Sequence, residues 1–142
     1  HKPSVIFTLD DSIGGYGHPE HLLISRLTLE YCRKNKKDST AFVKRIYQAV
    51  FDPRMNEKIL DGLPAYEIAK EVYQFKSTPK PTVQISFKGF EEQKKMVMKA
   101  YTTEQHTLTK IWPYYNLLPS SFYFGIFNKE YYKVRDQAAD YQ

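Results

Sequence analysis

Residues 4–27 read SVIFTLDDSIGGYGHPEHLLISRL, and the fold class turns on them. Ser4–Leu9 is a short run of branched and aromatic residues after Pro3, the pattern of a buried strand. Asp10–Gly17 is polar and glycine-rich and reads as a loop. Pro19 suits the first turn of a helix, where its missing N–H leaves no hydrogen bond unmade. A helix is therefore expected from about Pro19 to Arg33, with Leu22, Leu23, Leu27 and Tyr31 facing the core. Strand, glycine loop and helix in that order form an α/β unit, and in such sheets ligands gather beyond the carboxyl ends of the strands. Chemistry is therefore sought first in the loop.

Further along, Arg33–Ser39 is a charged, solvated break, and Arg45–Val50 reads as a strand. Asp52–Phe75 carries one or two short helices interrupted near Gly62 and Pro64. Thr82–Phe87 alternates and is expected to be a strand. Gly89–Trp112 is expected to be one helix with Phe90, Met96, Val97, Ala100 and Leu108 inward, ended by Pro113. The aromatic-rich Ser120–Val134 is expected to supply a terminal strand or hairpin, and residues 135–142 form a polar tail. Cys32 reads as a packing residue, and His106 as a solvent-exposed one. Trp112, Tyr114 and Tyr115 suit a hydrophobic cluster or interface better than a sugar-stacking surface.

The 142 residues suffice for one domain with a sizeable core. The formal net charge of +5 suits a basic patch, but 16 acidic residues are interspersed with 21 basic ones, and no nucleic-acid motif accompanies them. Nucleic acid is not an expected partner. A single cysteine excludes an intrachain disulfide and any multi-cysteine zinc site. No apolar run is long enough to suggest a membrane span, and no signal-peptide pattern is present. The sequence begins with His1 rather than Met, so the native N-terminus, with any targeting segment, is expected upstream. A cytoplasmic location is favoured, and secretion stays open.

His18 and His21 lie three residues apart across the start of the helix, so their rings can share one side of its first turn. Neutral imidazole is a good zinc ligand. Gly14, Gly15 and Gly17 let the backbone turn sharply and approach a ligand closely. Asp10 and Asp11 sit at the strand end, where either can orient a histidine from behind. Tyr16 adds a hydroxyl able to donate to a developing oxyanion. Carboxylates at a strand end, a glycine loop, a phenol and two imidazoles together read as a catalytic loop. The spacing alone leaves a pair of surface or capping histidines equally open.

The stretch KPSVIFTLDDSIGGYGHPEH, Lys2–His21, resembles the second signature of the PIG-L/LmbE-type zinc-dependent N-acetylglucosaminyl deacetylases, which ends in Gly-Gly-Tyr-Gly-His-Pro-Asp-His. Looser similarity continues in VKRIYQAVF, in TVQISFKGFEEQKKMVMKAYTTEQ and in FGIFNKEYYKV, and so covers nearly the whole chain. The resemblance implies the C-terminal part of a Rossmann-like, three-layer α/β fold, with residues 1–142 forming a single partial domain. It implies that His21 is a zinc ligand, that His18 is the histidine acting as acid or electrostatic stabiliser, and that Tyr16 reaches the substrate carbonyl. Glu20 stands where the family has Asp, which lengthens the carboxylate arm, and Tyr101 stands where His is common.

The family's first motif, Ala/Ser-His-Pro-Asp-Asp-Glu, supplies two zinc ligands and the general base, and no His-Pro-Asp-Asp occurs in these residues. Catalytic zinc usually takes three protein ligands and a water. The expectation is therefore an incomplete and, by itself, inactive part of a metal-dependent hydrolase that removes an N-acetyl group from an amino sugar or glycoconjugate. Its zinc site would be completed by a missing N-terminal half or a second chain. The sheet edge left exposed would favour homo-oligomers. The alternative expectation is a non-catalytic α/β binding or assembly module that retains the glycine–histidine loop.

Overall fold

The computed structural model describes residues 3–35, 42–51, 60–62, 64–75 and 77–136. The outer part of the charged break, the start of the Asp52–Phe75 stretch and most of the polar tail lie outside the described residues. The elements in chain order are β1 (Val5–Leu9), an irregular turn α1 (Gly14–Gly17), α2 (Pro19–Lys34), β2 (Arg45–Val50), a 3-10 turn (Leu60–Gly62) and α3 (Pro64–Tyr73). Then follow β3 (Val83–Ser86), α4 (Glu91–Ala100), a 3-10 turn (Thr102–Glu104), α5 (Gln105–Ile111), α6 (Ser120–Ile126) and β4 (Lys129–Asp136). The architecture is α/β, on a four-stranded mixed sheet of order β1-β2-β4-β3. Among the described residues no helix is long and apolar enough to cross a membrane.

The chain forms two compact units, His1–Val83 with Tyr131–Gln142, and Gln84–Glu130. In the first, β1 and β2 run parallel with Ile6 opposite Ile46 and Thr8 opposite Gln48. β4 lies antiparallel on the other side of β2, with Gln48 opposite Lys133 and Val50 opposite Tyr131. The alternation in RIYQAV does the sorting: Ile46, Gln48 and Val50 are buried on one face, while Tyr47 and Ala49 are only half-buried on the other. That second face carries an aromatic cluster, with the Phe7 and Tyr47 rings stacked at 5.1 Å and Tyr132 edge-on to Tyr47 at 5.8 Å.

Helix α2 starts at Pro19 as expected and ends at Asn35, whose backbone N–H donates to Tyr31 O. Of its expected core-facing residues, Leu22 turns inward and the other three do not. Leu22, Ser25 and Cys32 are buried, while Leu23, Leu27 and Tyr31 are exposed. The buried stripe is chosen by a polar contact: the Ser25 hydroxyl donates to Leu9 O at 2.5 Å at the end of β1. Cys32 packs as expected. In α3, which Pro64 opens, Tyr66 and Ala69 turn inward one helical step apart.

In the second unit, the helix expected over Gly89–Trp112 breaks at Tyr101, whose backbone leaves the helical region at φ −78°, ψ 67°. The Gln105 side chain supplies the reason, since its amide donates to both Met98 O and Tyr101 O at 2.9 Å. Each carbonyl also accepts a backbone N–H, Met98 O from Tyr101 and Tyr101 O from Glu104, so the side chain adds a second bond to each at the break. Tyr115 in turn donates to Gln105 Oε1 at 2.5 Å. Met98, rather than Phe90, Met96 or Val97, enters the core, joining Tyr115, Tyr123 and Phe124. Of the aromatic trio at 112–115, Tyr115 is in this core, Trp112 packs against it and Tyr114 is exposed. His106 is exposed as expected. The aromatic stretch after Pro119 begins as helix α6 before turning into β4, because Ser120, Tyr123, Phe124 and Phe127 recur at helical spacing.

Phe124 is fully buried and Phe122 is exposed. Phe124→Ala is expected to lower the unfolding free energy by about 3–5 kcal/mol in urea denaturation, and Phe122→Ala by no more than about 0.5 kcal/mol.

Candidate functional site

The loop after β1 is built on one side chain. The buried Asp10 carboxylate accepts from Ser12 N at 3.0 Å, Ser12 Oγ at 2.5 Å, Ile13 N at 2.8 Å and Gly15 N at 2.6 Å. Amide donors aimed at one carboxylate curl the backbone around it. Backbone bonds from Gly14 N to Asp10 O (3.1 Å) and Gly17 N to Ile13 O (2.7 Å) close the turn. Ile13 plugs it from below, fully buried against Leu60 and Tyr66.

The curl needs glycine where it meets α2. Gly14 has φ +59°, and a Cβ there would lie 2.8 Å from both His21 Cβ and Leu22 N. Gly15 has φ +83°, and a Cβ there would come within 3.3 Å of the Phe51 ring. The loop backbone therefore lies directly on the first turn of α2, a contact that an ordinary residue would obstruct.

That contact orients His21. Its Nδ1 lies 3.1 Å from Gly14 O. A carbonyl can only accept, so Nδ1 carries the proton and the neutral ring keeps its lone pair on Nε2. The His18 ring centroid lies 4.8 Å from that of His21, and the Tyr16 ring centroid lies 5.2 Å from His21 and 6.2 Å from His18. The structure thus brings Tyr16, His18 and His21 together at the carboxyl end of β1. His18 Nδ1 is buried without a hydrogen-bond partner among the described residues.

Asp10 and Asp11 do not join them. Asp10 holds loop amides and the Ser12 hydroxyl. Asp11 accepts from Arg135 Nη2 on both oxygens at 2.9 Å and from Gln48 Nε2 at 3.0 Å. Among the described residues neither carboxylate, nor the exposed Glu20, makes a hydrogen bond to a histidine. Burial works to raise the Asp11 pKa, but the hydrogen bonds from Gln48 and Arg135 and the Arg135 charge outweigh it and hold the carboxyl below its ordinary value. Arg135 and Gln48 were not expected from the sequence to act near the loop. The available signal was Gln48 itself, a polar residue at the buried phase of an otherwise apolar strand.

Chemically, the cluster offers a phenol, an imidazole with an available Nε2 and a second imidazole at its side. These groups can donate to a developing oxyanion or move a proton. His21 fits a single metal ligand, with its other nitrogen already held by a carbonyl. A group of three metal-ligating side chains, the usual number at a catalytic zinc, does not occur among the described residues.

Comparison with protein-family models, with curated proteins and with solved structures finds no match.

Two outcomes are expected. Gly14→Ala should destabilise the fold by more than about 1 kcal/mol in urea denaturation, because it combines an unfavourable φ with a backbone clash. Asp11 should contribute stability above the pH at which an unfolded aspartate ionises, and that contribution should vanish as pH falls through the lower folded value. Urea midpoints across a pH series should therefore fall less steeply below about pH 4 in Asp11→Asn than in the parent protein.

Proposed function

We propose that this chain carries part of the site of a metal-dependent hydrolase that removes an N-acetyl group from an amino sugar or glycoconjugate. His21 is one metal ligand, and His18 and Tyr16 stand at the acyl group. Further ligands and an aspartate general base come from an N-terminal half or a second chain, within a Rossmann-like three-layer fold of the LmbE type. The observation that supports this reading is the clustering of Tyr16, His18 and His21 at the end of β1, with His21 Nδ1 against Gly14 O. The resemblance of Lys2–His21 to the deacetylase signature supplies the reaction class.

When bound, a zinc ion would supply Lewis acidity. The chain's own residues do the rest of what is assigned here. Tyr16 donates its hydroxyl hydrogen toward the oxygen on which charge develops as water, deprotonated by the aspartate base, adds to the acetyl carbonyl carbon and makes it tetrahedral. Protonated His18 stabilises the same charge, then passes its proton to the departing amine nitrogen, without which the C–N bond does not break readily. Glycines 14 and 15 allow the loop to hold these groups against α2.

The test is release of free amine from N-acetylglucosamine and from N-acetylglucosaminyl glycoconjugates in the presence of zinc. The protein purified from its source is expected to release amine, and the 142-residue chain alone is not. In the active protein, His18→Ala should lower kcat by about 100-fold or more. No amine release from the source protein, or a His18→Ala variant as fast as its parent, would remove this reading and leave the non-catalytic module.

A further inference from the structure

We propose that Arg135, at the end of β4, is a positioning residue for the Tyr16–His18–His21 cluster, acting through Asp11 to fix how the loop leaves β1. The proposal takes this cluster to be the functional site, as above, but its test does not depend on turnover.

The geometry is a node at which the end of β1, the loop, α2, β2 and β4 converge. Arg135 Nη2 reaches both Asp11 oxygens at 2.9 Å, and Arg135 Nε donates to Gln48 Oε1 at 2.9 Å. Gln48 is fully buried, and its Nε2 donates to Asp11 Oδ1 at 3.0 Å while lying 3.3 Å from Ser25 Oγ and 3.4 Å from Leu9 O. Arg26 on α2 reaches Asp11 O from outside at 3.4 Å. The residue held by this node immediately follows Asp10, whose carboxylate gathers the amides of Ser12, Ile13 and Gly15. Gly14, inside that curl, presents the carbonyl that fixes His21.

The chain of contacts is short and directional. Arg135 holds Asp11, the peptide at Asp11 sets the curl around Asp10, and the curl places Gly14 O under His21. The first link is a charge-assisted pair of hydrogen bonds between two side chains, the second is the peptide joining Asp10 to Asp11, and the third is the bond between Gly14 O and His21 Nδ1. Arg135 is 124 residues from its partner, so the loop's exit direction is set by a residue at the far end of the sequence. A lysine could keep the charge but not the two-sided grip on Asp11 and Gln48.

The test reads the imidazole nitrogens of His21 by long-range proton–nitrogen NMR, at a pH where both rings are neutral. In the parent protein His21 is expected in one tautomer, protonated on Nδ1. In folded Arg135→Ala, the Nε2-protonated form should rise about tenfold, the size of effect expected from weakening one hydrogen bond. Asp11→Asn should loosen the ring in the same way, and Arg135→Lys should restore part of the parent pattern. A folded Arg135→Ala with parent nitrogen shifts and only a lower melting temperature would overturn the proposal, because that is what a purely structural ion pair predicts. Should Arg135→Ala not fold, parent shifts in a folded Asp11→Asn would overturn it equally. A shifted tautomer alongside no amine release in the source protein would sink the deacetylase reading and leave this inference standing.

Discussion

The structure around the loop depends on one interaction, the capture of backbone amides by the Asp10 carboxylate. A buried carboxylate is tolerated only where donors surround it. Here the donors are the N–H groups of Ser12, Ile13 and Gly15 in the segment leaving β1, so satisfying the charge and bending the chain are the same event. The curl carries Ile13 down into a cluster with Leu60 and Tyr66, and it carries Gly14 across to α2. Without the carboxylate, those amides would have to find water, in a place where Ile13 and Gly15 leave little room for it.

The second constraint is closeness. Two elements can approach until a Cβ intervenes, and at Gly14 none does. The Gly14 carbonyl can therefore sit against His21 Nδ1 and choose the tautomer of the ring. Imidazole chemistry depends on which nitrogen holds the proton, so a backbone position with no side chain decides what a side chain seven residues later can do. Ser25 and Gln48 reinforce the arrangement from the other side, tying α2 and β2 to the Leu9 carbonyl at the strand end.

Much of this was legible in residues 4–27. The apolar run, the glycines, Pro19 and the histidine spacing gave strand, loop and helix in their observed places, and they gathered Tyr16, His18 and His21 on one loop. The burial of α2 was not legible in the same way. Its apolar residues surround much of the helix, and the stripe that faces the sheet carries Ser25 bonded to Leu9 O and His21 against Gly14 O beside buried Leu22 and Cys32. The direct partners of Asp10 and Asp11 were not legible for a related reason. A carboxylate near histidines looks like their partner in sequence, whereas the amides of its own loop are closer to Asp10 and the C-terminal strand brings Arg135 to Asp11. In the second unit, aromatic residues suggested β-structure over Ser120–Ile126, while the recurrence of Ser120, Tyr123, Phe124 and Phe127 favoured a helix.

The sequence by itself determined the local grammar of residues 4–27: strand, loop and helix in that order, where glycine permits a sharp turn, and which chemically able side chains lie within one short loop. These depend on contacts between near neighbours, and their patterns repeat every two or every three to four residues. Tertiary structure alone decided which stripe of α2 is buried, which partner each aspartate takes and which nitrogen of His21 is free. Each of those outcomes depends on which group the folded backbone brings within hydrogen-bonding distance, near in the chain as Ile13 N is to Asp10, or far as Arg135 is to Asp11.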